Sequence, residues 1–172
     1  MLNYNSVIKN EIKQESISVK EISPVIKINL RGKKREFLTN VGKNLNMILP
    51  TEANTSTTSD KLTAIWLSPD EWMIISNELA SKDTNKSDLY EMLFNSISKT
   101  NLGAVIDVTD QFVQLELKGE NVYEIFSAGS PFNFNEFKEK KGSTTQTILN
   151  HVDVILHHKD ENVVNLLVRR SF

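Results

Sequence analysis

Short stretches of alternating apolar and polar residues run through most of the chain, and such alternation is typical of β-strands with one buried face. These stretches cover residues 17–22, 25–31, 62–67, 71–76, 104–108, 112–118, 144–149, 152–157 and 163–170. Proline in Ser68-Pro69-Asp70 predicts a hairpin turn between two of them. The alternation therefore predicts antiparallel sheets as the main structure.

Three segments predict helices. Residues 36–41 precede Gly42, and glycine is common immediately after a helix ends. Residues 88–98 carry apolar side chains at the spacing of an amphipathic helix, and residues 120–128 predict a third helix. Residues 51–61 are rich in Thr, Ser and Asn without periodicity, so we expect an exposed loop there.

The segment from Gly32 to Gly42 recurs from Gly119 to Gly129, together with the apolar residues around it. The offset is 119 − 32 = 87 positions. After a loop of different length, an offset of 149 − 67 = 82 continues the match. The second offset aligns Trp66 and Trp72 with Ile148 and Val154. Such self-similarity indicates two copies of one supersecondary unit.

These patterns predict an α+β fold made of internally duplicated ββαββ units with antiparallel sheets and few helices. The predicted segments are an N-terminal arm (1–16), a first ββαββ repeat (17–78), a loop and amphipathic helix (79–101) and a second ββαββ repeat (102–172). We expect them to form one compact module.

Composition narrows the function classes. The net charge of −2 gives no overall attraction to nucleic acid or to an anionic membrane. The absence of cysteine excludes disulfides, thiolate nucleophiles and cysteine-ligated zinc. The first residues lack the basic start and apolar core of a signal peptide, and no apolar run approaches the roughly 20 residues that span a bilayer. We therefore expect a cytoplasmic protein.

Gly32 and Gly119 each follow a predicted strand, where glycine can cradle a phosphate. Neither belongs to a GxGxxG or GxxxxGK[ST] motif. Their recurrence at the same point favours a backbone requirement, such as a positive φ, over phosphate binding.

Lys33, Lys34 and Arg35 open the first predicted helix, where cations oppose the helix dipole. The second copy has Glu120 there, which has the favourable sign. A solvated surface is the favoured interpretation, and contact with an anionic partner surface is the second.

The titratable residues form no evident catalytic or metal-binding pattern. His157 and His158 are adjacent on a predicted strand and point to opposite faces, and His151 has no helical partner. Asp107 and Asp110 bracket a corner between strands. Acid–base chemistry or binding of a pterin-like amide is conceivable there, but turn formation is favoured. We expect no catalytic, cofactor-binding or metal-binding residue.

The segment from Trp66 to Trp72 reads W-L-S-P-D-E-W and resembles the W-L-G-P-D-E-W motif of the gamma subunit of heterotetrameric sarcosine oxidase. Supporting segments follow in the same order: Val105-Ile106-Asp107-Val108-Thr109-Asp110-Gln111, Gly129-Ser130-Pro131-Phe132-Asn133-Phe134, Thr147-Ile148-Leu149 and Arg169-Arg170-Ser171-Phe172. The resemblance runs from about residue 17 to the end. The chain departs from the family pattern at Ser68, Ser130 and Asn133, where Gly, Cys and Asp are usual.

The resemblance implies the fold of the folate-binding domain of glycine-cleavage T-proteins and a complex with alpha, beta and delta subunits. It implies that the complex demethylates sarcosine oxidatively to glycine, with hydrogen peroxide formed and tetrahydrofolate as the one-carbon acceptor. FAD, FMN, NAD and zinc belong to the partner subunits of that family. We therefore expect a chain without a cofactor or active site of its own, packed against the alpha subunit.

The two copies differ where a partner is expected to bind. Lys33, Lys34, Arg35, Trp66 and Trp72 have no counterparts of the same type in the second copy, and they are the predicted partner interface. Both tryptophans are core or interface aromatics. The alternative function is a free-standing folate-binding protein or a minimal aminomethyltransferase.

Overall fold

The computed structural model describes residues 4–22, 25–77 and 87–172. The strands in these ranges are β1 (Ile12–Gln14), β2 (Ile17–Glu21), β3 (Lys27–Arg31), β4 (Ser56–Thr58), β5 (Leu62–Ser68), β6 (Glu71–Ser76), β7 (Ala104–Asp107), β8 (Phe112–Lys118), β9 (Thr144–Leu149), β10 (Val152–Asp160) and β11 (Val163–Arg169). The helices are α1 (Arg35–Leu45), α2 (Ser87–Leu93) and α3 (Val122–Gly129), and a π-helical turn (Phe94–Ser98) continues α2. The turn at Ser23-Pro24 and the loop expected at 79–86 lie outside the described residues.

The chain forms two compact units. The described part of the first is residues 25–77 and 87–109, with a five-stranded antiparallel sheet ordered β4-β5-β6-β3-β7. The described part of the second is residues 4–22 and 110–172, with a six-stranded antiparallel sheet ordered β1-β2-β8-β11-β10-β9. We name them the five-stranded unit and the six-stranded unit. The predicted α+β class with antiparallel sheets is confirmed.

The internal duplication is visible in the strand order. β4, β5, β6, β3 and β7 take the places that β9, β10, β11, β8 and β2 take in the other sheet. Leu30 pairs with Trp72 and Leu117 pairs with Val164, so the offset is 117 − 30 = 87 at the first strand and 164 − 72 = 92 at the second. The predicted offset of 82 was wrong because the three-residue β4 lies in the polar stretch that predicted a loop. Without that strand, the β5–β6 hairpin was aligned one strand too early.

The first strand of each sequence repeat pairs outside its own repeat. Val19 in β2 pairs with Leu117 in β8, and Val105 in β7 pairs with Leu30 in β3. The units therefore do not coincide with the repeats at 17–78 and 102–172. Alternation shows that a strand has a buried face, but it does not select the neighbour with which the strand pairs.

Helix α1 passes through Gly42, where its end was predicted, and that prediction was wrong. Its buried residues Phe37, Val41 and Leu45 are four positions apart and form one stripe. Burial of Leu45 offsets the cost of about 1 kcal/mol for a glycine inside a helix. Asn46, with a left-handed φ of 49°, ends the helix instead.

Each unit has its own hydrophobic core. In the five-stranded unit the buried members are Ile26, Ile28, Leu30, Phe37, Val41, Leu45, Met47, Leu49, Ala64, Trp72, Ile74, Leu93, Ile97 and Val105. In the six-stranded unit they are Leu117, Val122, Phe126, Phe134, Phe137, Val154, Leu156, Val164 and Leu166. The predicted amphipathic helix contributes Leu93 and Ile97 to the first core, through α2 and the π-helical turn.

The described part of the predicted N-terminal arm lies along the edge of the six-stranded sheet. Its β1 pairs with β2. The Tyr4 hydroxyl donates a hydrogen bond to the Glu21 carboxylate, and the Ile8 N–H donates to the same carboxylate at 2.9 Å. The Arg170 guanidinium stacks over the Tyr4 ring, 4.8 Å from its centroid. No helix among the described residues is long and apolar enough to cross a membrane.

Candidate partner interface

The three predicted cations lie in the five-stranded unit, where the chain leaves β3 and enters α1. Lys33, Lys34 and Arg35 are all exposed. The Gly32 N–H donates to the Asp70 carbonyl at 3.0 Å, which holds this turn beside the β5–β6 hairpin turn. The cations and the W-L-S-P-D-E-W segment are therefore neighbours on one unit.

The two repeated glycines satisfy different requirements. Gly119 has a φ of 149°, and a Cβ there would lie 2.0 Å from the Ser16 carbonyl oxygen. The expected positive φ is confirmed at Gly119 but is wrong at Gly32. At Gly32 a Cβ would lie 2.4 Å from the ring of Phe37, which is fully buried. Gly32 is required because the Phe37 ring occupies the space of a side chain.

Ion pairs divide the cations into two groups. Asp70 lies 3.6 Å from the guanidinium of Arg31 and 3.6 Å from the Lys33 ammonium. A hydrogen bond from the Ser68 hydroxyl is the main cause that lowers the pKa of Asp70, and the two cations lower it further. In contrast, Lys34 and Arg35 make no ion pair within the described part of the chain. These two cations remain available to an acidic partner.

The two tryptophans differ in exposure, although they pair across β5 and β6. Trp72 is 3% exposed, and its indole N–H donates to the Pro50 carbonyl at 2.7 Å. Its ring packs against Phe37, with the ring centroids 5.7 Å apart. Trp72 is therefore a core residue. Trp66 is half-buried against the same core and keeps part of its surface accessible.

The histidines are placed in the six-stranded unit, with His157 and His158 buried in β10 and His151 exposed in the preceding turn. The His158 Nδ1–H donates to the carbonyls of Phe137 and Lys140, at 3.0 Å each. Burial is the main cause that lowers the pKa of His157 to about 4, with the charges of His158 and Lys159 adding to it. Within the described ranges, no group of three acidic or histidine side chains could hold a metal ion.

The two aspartates at the strand corner are both exposed. Asp107 Oδ1 accepts a hydrogen bond from the Thr109 N–H at 2.9 Å, which is the local turn bond that the sequence predicted. The Asp107 carboxylate thus supports the turn between β7 and β8.

The structure adds a groove that sequence reasoning missed. It runs along the outer face of α1, has a volume of about 650 Å³ and is lined by Arg35, Leu38, Gly42, Lys43, Met47 and Ile48 among others. Ile48 is 82% exposed, more than any other large hydrophobic residue among those described. The sequence signal was an isoleucine three residues after the last helical residue, Leu45, in the segment that leaves the helix.

We compared the chain with known protein families, sequences and structures. A sequence profile of the sarcosine oxidase gamma subunit family matches residues 32–172. No curated protein sequence gave a match.

Two solved structures share the fold. A chain of heterotetrameric sarcosine oxidase from Corynebacterium sp. U-96, in complex with pyrrole 2-carboxylate, superposes with a TM-score of 0.81 at 19% identity, covering 94% of this chain and 80% of that chain. Glycine cleavage system aminomethyltransferase T from Bartonella henselae superposes with a TM-score of 0.62 at 17% identity, covering 89% of this chain and 42% of that chain. The present chain spans less than half the length of the aminomethyltransferase. The expected T-protein-like fold is confirmed.

Proposed function

The chain belongs to the sarcosine oxidase gamma subunit family, and we propose from this membership that it is a subunit of a sarcosine oxidase complex without an active site of its own. The observation that carries the proposal is the match over residues 32–172, which takes in most of both units and the exposed start of α1. In this role the chain packs against an alpha subunit in a complex that also contains beta and delta subunits. The complex oxidatively demethylates sarcosine to glycine, with formation of hydrogen peroxide and transfer of the one-carbon unit to tetrahydrofolate.

The proposal assigns the redox groups to other chains. FAD, FMN, NAD and zinc are held by the partner subunits, and this chain supports their assembly. The absence of cysteine is compatible with a reducing compartment, and we include a cytoplasmic location in the proposal.

We place the partner contact on the five-stranded unit, at Lys34, Arg35 and the accessible part of Trp66. The two cations have no ion pair of their own in the described chain, and they lie at a helix start where the helix dipole disfavours positive charge. An acidic partner surface would relieve this repulsion and would also steer association. A half-buried tryptophan in the same unit as these cations is a suitable anchor, since aromatic residues are enriched at protein interfaces.

Co-purification tests the proposed function. The tagged chain is co-expressed with the flavin-containing subunits from the same organism, and the mixture is analysed by size-exclusion chromatography at roughly 1 μM, where a specific interface of standard size remains associated. We expect one co-eluting complex with sarcosine-dependent formation of hydrogen peroxide. Separate elution of this chain from all of the other subunits would contradict the proposal.

The alternative of a free-standing folate-binding protein or minimal aminomethyltransferase is not favoured by the family match. Calorimetric titration of the isolated chain with tetrahydrofolate separates the two functions. We expect no saturable heat from the isolated chain. Saturable binding with a stoichiometry of about one would instead support the alternative, because a preformed ligand site binds without partners.

A further inference from the structure

The groove on the outer face of α1 exposes apolar surface that the five-stranded unit does not cover. Ile48 is 82% exposed at its rim, and the half-buried Leu38 lines the same groove. The core side of α1 is already occupied by its stripe of Phe37, Val41 and Leu45. The groove thus borders the core, since Met47 belongs to that core and Leu38 packs against it, while Ile48 is its largely exposed hydrophobic residue.

Gly42 forms part of the lining of this groove, and nothing in its backbone requires glycine. Its φ is not positive, and a Cβ there would meet a single atom within 4 Å, the Met47 carbonyl oxygen at 3.2 Å. Glycine is the least favourable ordinary residue inside a helix apart from proline. Its presence leaves an indentation where another backbone can approach α1 closely.

Two cations line the groove on its α1 side. Arg35 and Lys43 are both exposed and lie eight residues apart on α1, which corresponds to roughly 12 Å along a helix axis. Neither makes an ion pair within the part of the chain that the structure describes. A ligand that fills the groove thus meets Leu38 between the two cations along α1, and Ile48 beyond Lys43 in the chain.

We propose that this groove binds a segment of a partner subunit in which apolar side chains lie between two carboxylates. The proposal rests on the proposed function, since it names where the complex holds this chain. The charge pattern argues against a second copy of the chain as the occupant, because a two-fold contact would bring the cationic groove onto itself. Ile48 then enters an apolar depression of the partner, while Arg35 and Lys43 pair with its acidic residues.

Two variants of the full-length chain test the proposal in the complex with the co-expressed partner subunits. Ile48→Ser removes the apolar anchor, and its control is Ile148→Ser, which alters an isoleucine 41% exposed in the six-stranded unit. Arg35→Glu with Lys43→Glu reverses the two charges, and its control is Lys61→Glu with Lys99→Glu, which are exposed elsewhere in the five-stranded unit. Thermal unfolding of every variant by itself checks that folding is preserved.

We expect Ile48→Ser and the Arg35/Lys43 reversal each to raise the Kd for the partner subunits by about tenfold or more, with at most about a twofold effect of the controls. The charge reversal should also reverse the dependence of the Kd on salt concentration, because salt then screens a repulsion between like charges. If the wild-type complex forms and these variants bind as their controls do, the groove proposal is wrong while the proposed function stands. If the wild-type chain forms no complex, both proposals fail. Self-association of the isolated chain that Ile48→Ser abolishes would show that a second copy occupies the groove, which also overturns the proposal.

Discussion

The two units hold the loop that follows their helix in similar ways, but with different residues. In the five-stranded unit the indole N–H of Trp72 donates to Pro50, after α1. In the six-stranded unit the imidazole Nδ1–H of His158 donates to Phe137 and Lys140, after α3. His158 pairs with Val164 across its sheet as Trp66 pairs with Trp72, so the donor has moved to the neighbouring strand. Duplication has kept the strand order and the use of a ring N–H to hold this loop, but not the residue that supplies it.

The cores of the two units also differ in the helix and in the loop that follows it. The α1 helix has 11 residues and α3 has 8, so α3 covers less of its sheet. The loop after α3 contributes Phe132, Phe134 and Phe137, whose rings contact one another with centroids 4.9 to 6.0 Å apart. An aromatic loop thus covers the part of the six-stranded sheet that a longer helix covers in the other unit. Similar architecture is reached with apolar surface from different elements.

The largest expected effect comes from the two glycines that the repeats share. Gly119→Ala should lower the free energy of unfolding by about 4 kcal/mol, since a strained φ and an overpacked contact each cost roughly 1–3 kcal/mol. Gly32→Ala should cost about 2 kcal/mol, because it adds only a contact with the Phe37 ring. Urea denaturation of both variants measures the difference.

A second substitution separates the two causes. Phe37→Leu should recover part of the loss caused by Gly32→Ala, because the opposing atoms belong to a side chain. At Gly119 the opposing atoms are the backbone of Ser16 and Ile17, so no side-chain change can relieve the contact. Equal costs for the two glycine variants, without coupling to Phe37, would contradict this distinction.

The next effect is a loss of stability at acidic pH. It should arise in the six-stranded unit, because all three histidines lie there. Burial, with the charges of His158 and Lys159, lowers the pKa of His157 from its ordinary 6.5 to about 4. The unfolded chain therefore binds a proton at His157 more readily than the folded chain does. The contribution of neutral His157 to the free energy of unfolding is complete above pH 6.5 and is lost as the pH falls toward 4. Between about pH 7 and pH 5 the loss should be about 2 kcal/mol, measured from urea denaturation at the two pH values.

Two variants isolate the contribution of His157 to this acid effect. His157→Gln should reduce the dependence of stability on pH over this range. His151→Asn is the matched control, because His151 is exposed and asparagine tolerates its left-handed φ of 73°. An unchanged pH dependence in His157→Gln would assign the effect to other groups.

The two ring N–H bonds should contribute unequally to stability. Trp72→Phe leaves the buried Pro50 carbonyl without its donor and should cost about 1–3 kcal/mol. His158→Phe also removes a donor, but His158 Nε2 is a buried nitrogen without a partner in the described structure, and phenylalanine eliminates that unsatisfied atom. We therefore expect His158→Phe to cost about 1 kcal/mol or less. Thermal unfolding of both variants measures the comparison, and a larger cost at His158 would reverse our assignment.

Sequence periodicity was sufficient for most elements of the two units, but not for their pairing. Alternation and short apolar runs located β3, β5, β6 and β8 closely, although β3 and β6 are buried on both faces. It missed β4, whose three residues are Ser and Thr, and β1, whose three residues are all exposed. It also gave no indication that β2 and β7 pair outside their repeats, since pairing is set by tertiary packing.

The candidate interface was predicted only in part for a similar reason. Charge and sequence position sufficed to place Lys34 and Arg35 at an exposed helix start. They could not show that Asp70 pairs with Lys33, that Trp72 is buried, or that Ile48 borders a groove. Those properties depend on contacts between residues distant along the chain, such as Trp72 with Pro50.

The smallest expected effect separates the second pair of shared glycines, Gly42 and Gly129. Gly42→Ala replaces an open helix position, and the gain in helix propensity of up to about 1 kcal/mol is reduced by the contact with the Met47 carbonyl. At Gly129 a Cβ would lie 2.7 Å from Leu149 Cδ1, so Gly129→Ala should cost about 1 kcal/mol. Urea denaturation should therefore show that Gly42→Ala raises the free energy of unfolding or leaves it unchanged, whereas Gly129→Ala lowers it. A loss at Gly42 equal to that at Gly129 would mean that packing inside its own unit accounts for each glycine. If Gly42→Ala instead retains its stability, packing within the chain does not explain this glycine. The explanation then lies at the surface outside the helix, where only an approaching backbone would meet the added methyl group.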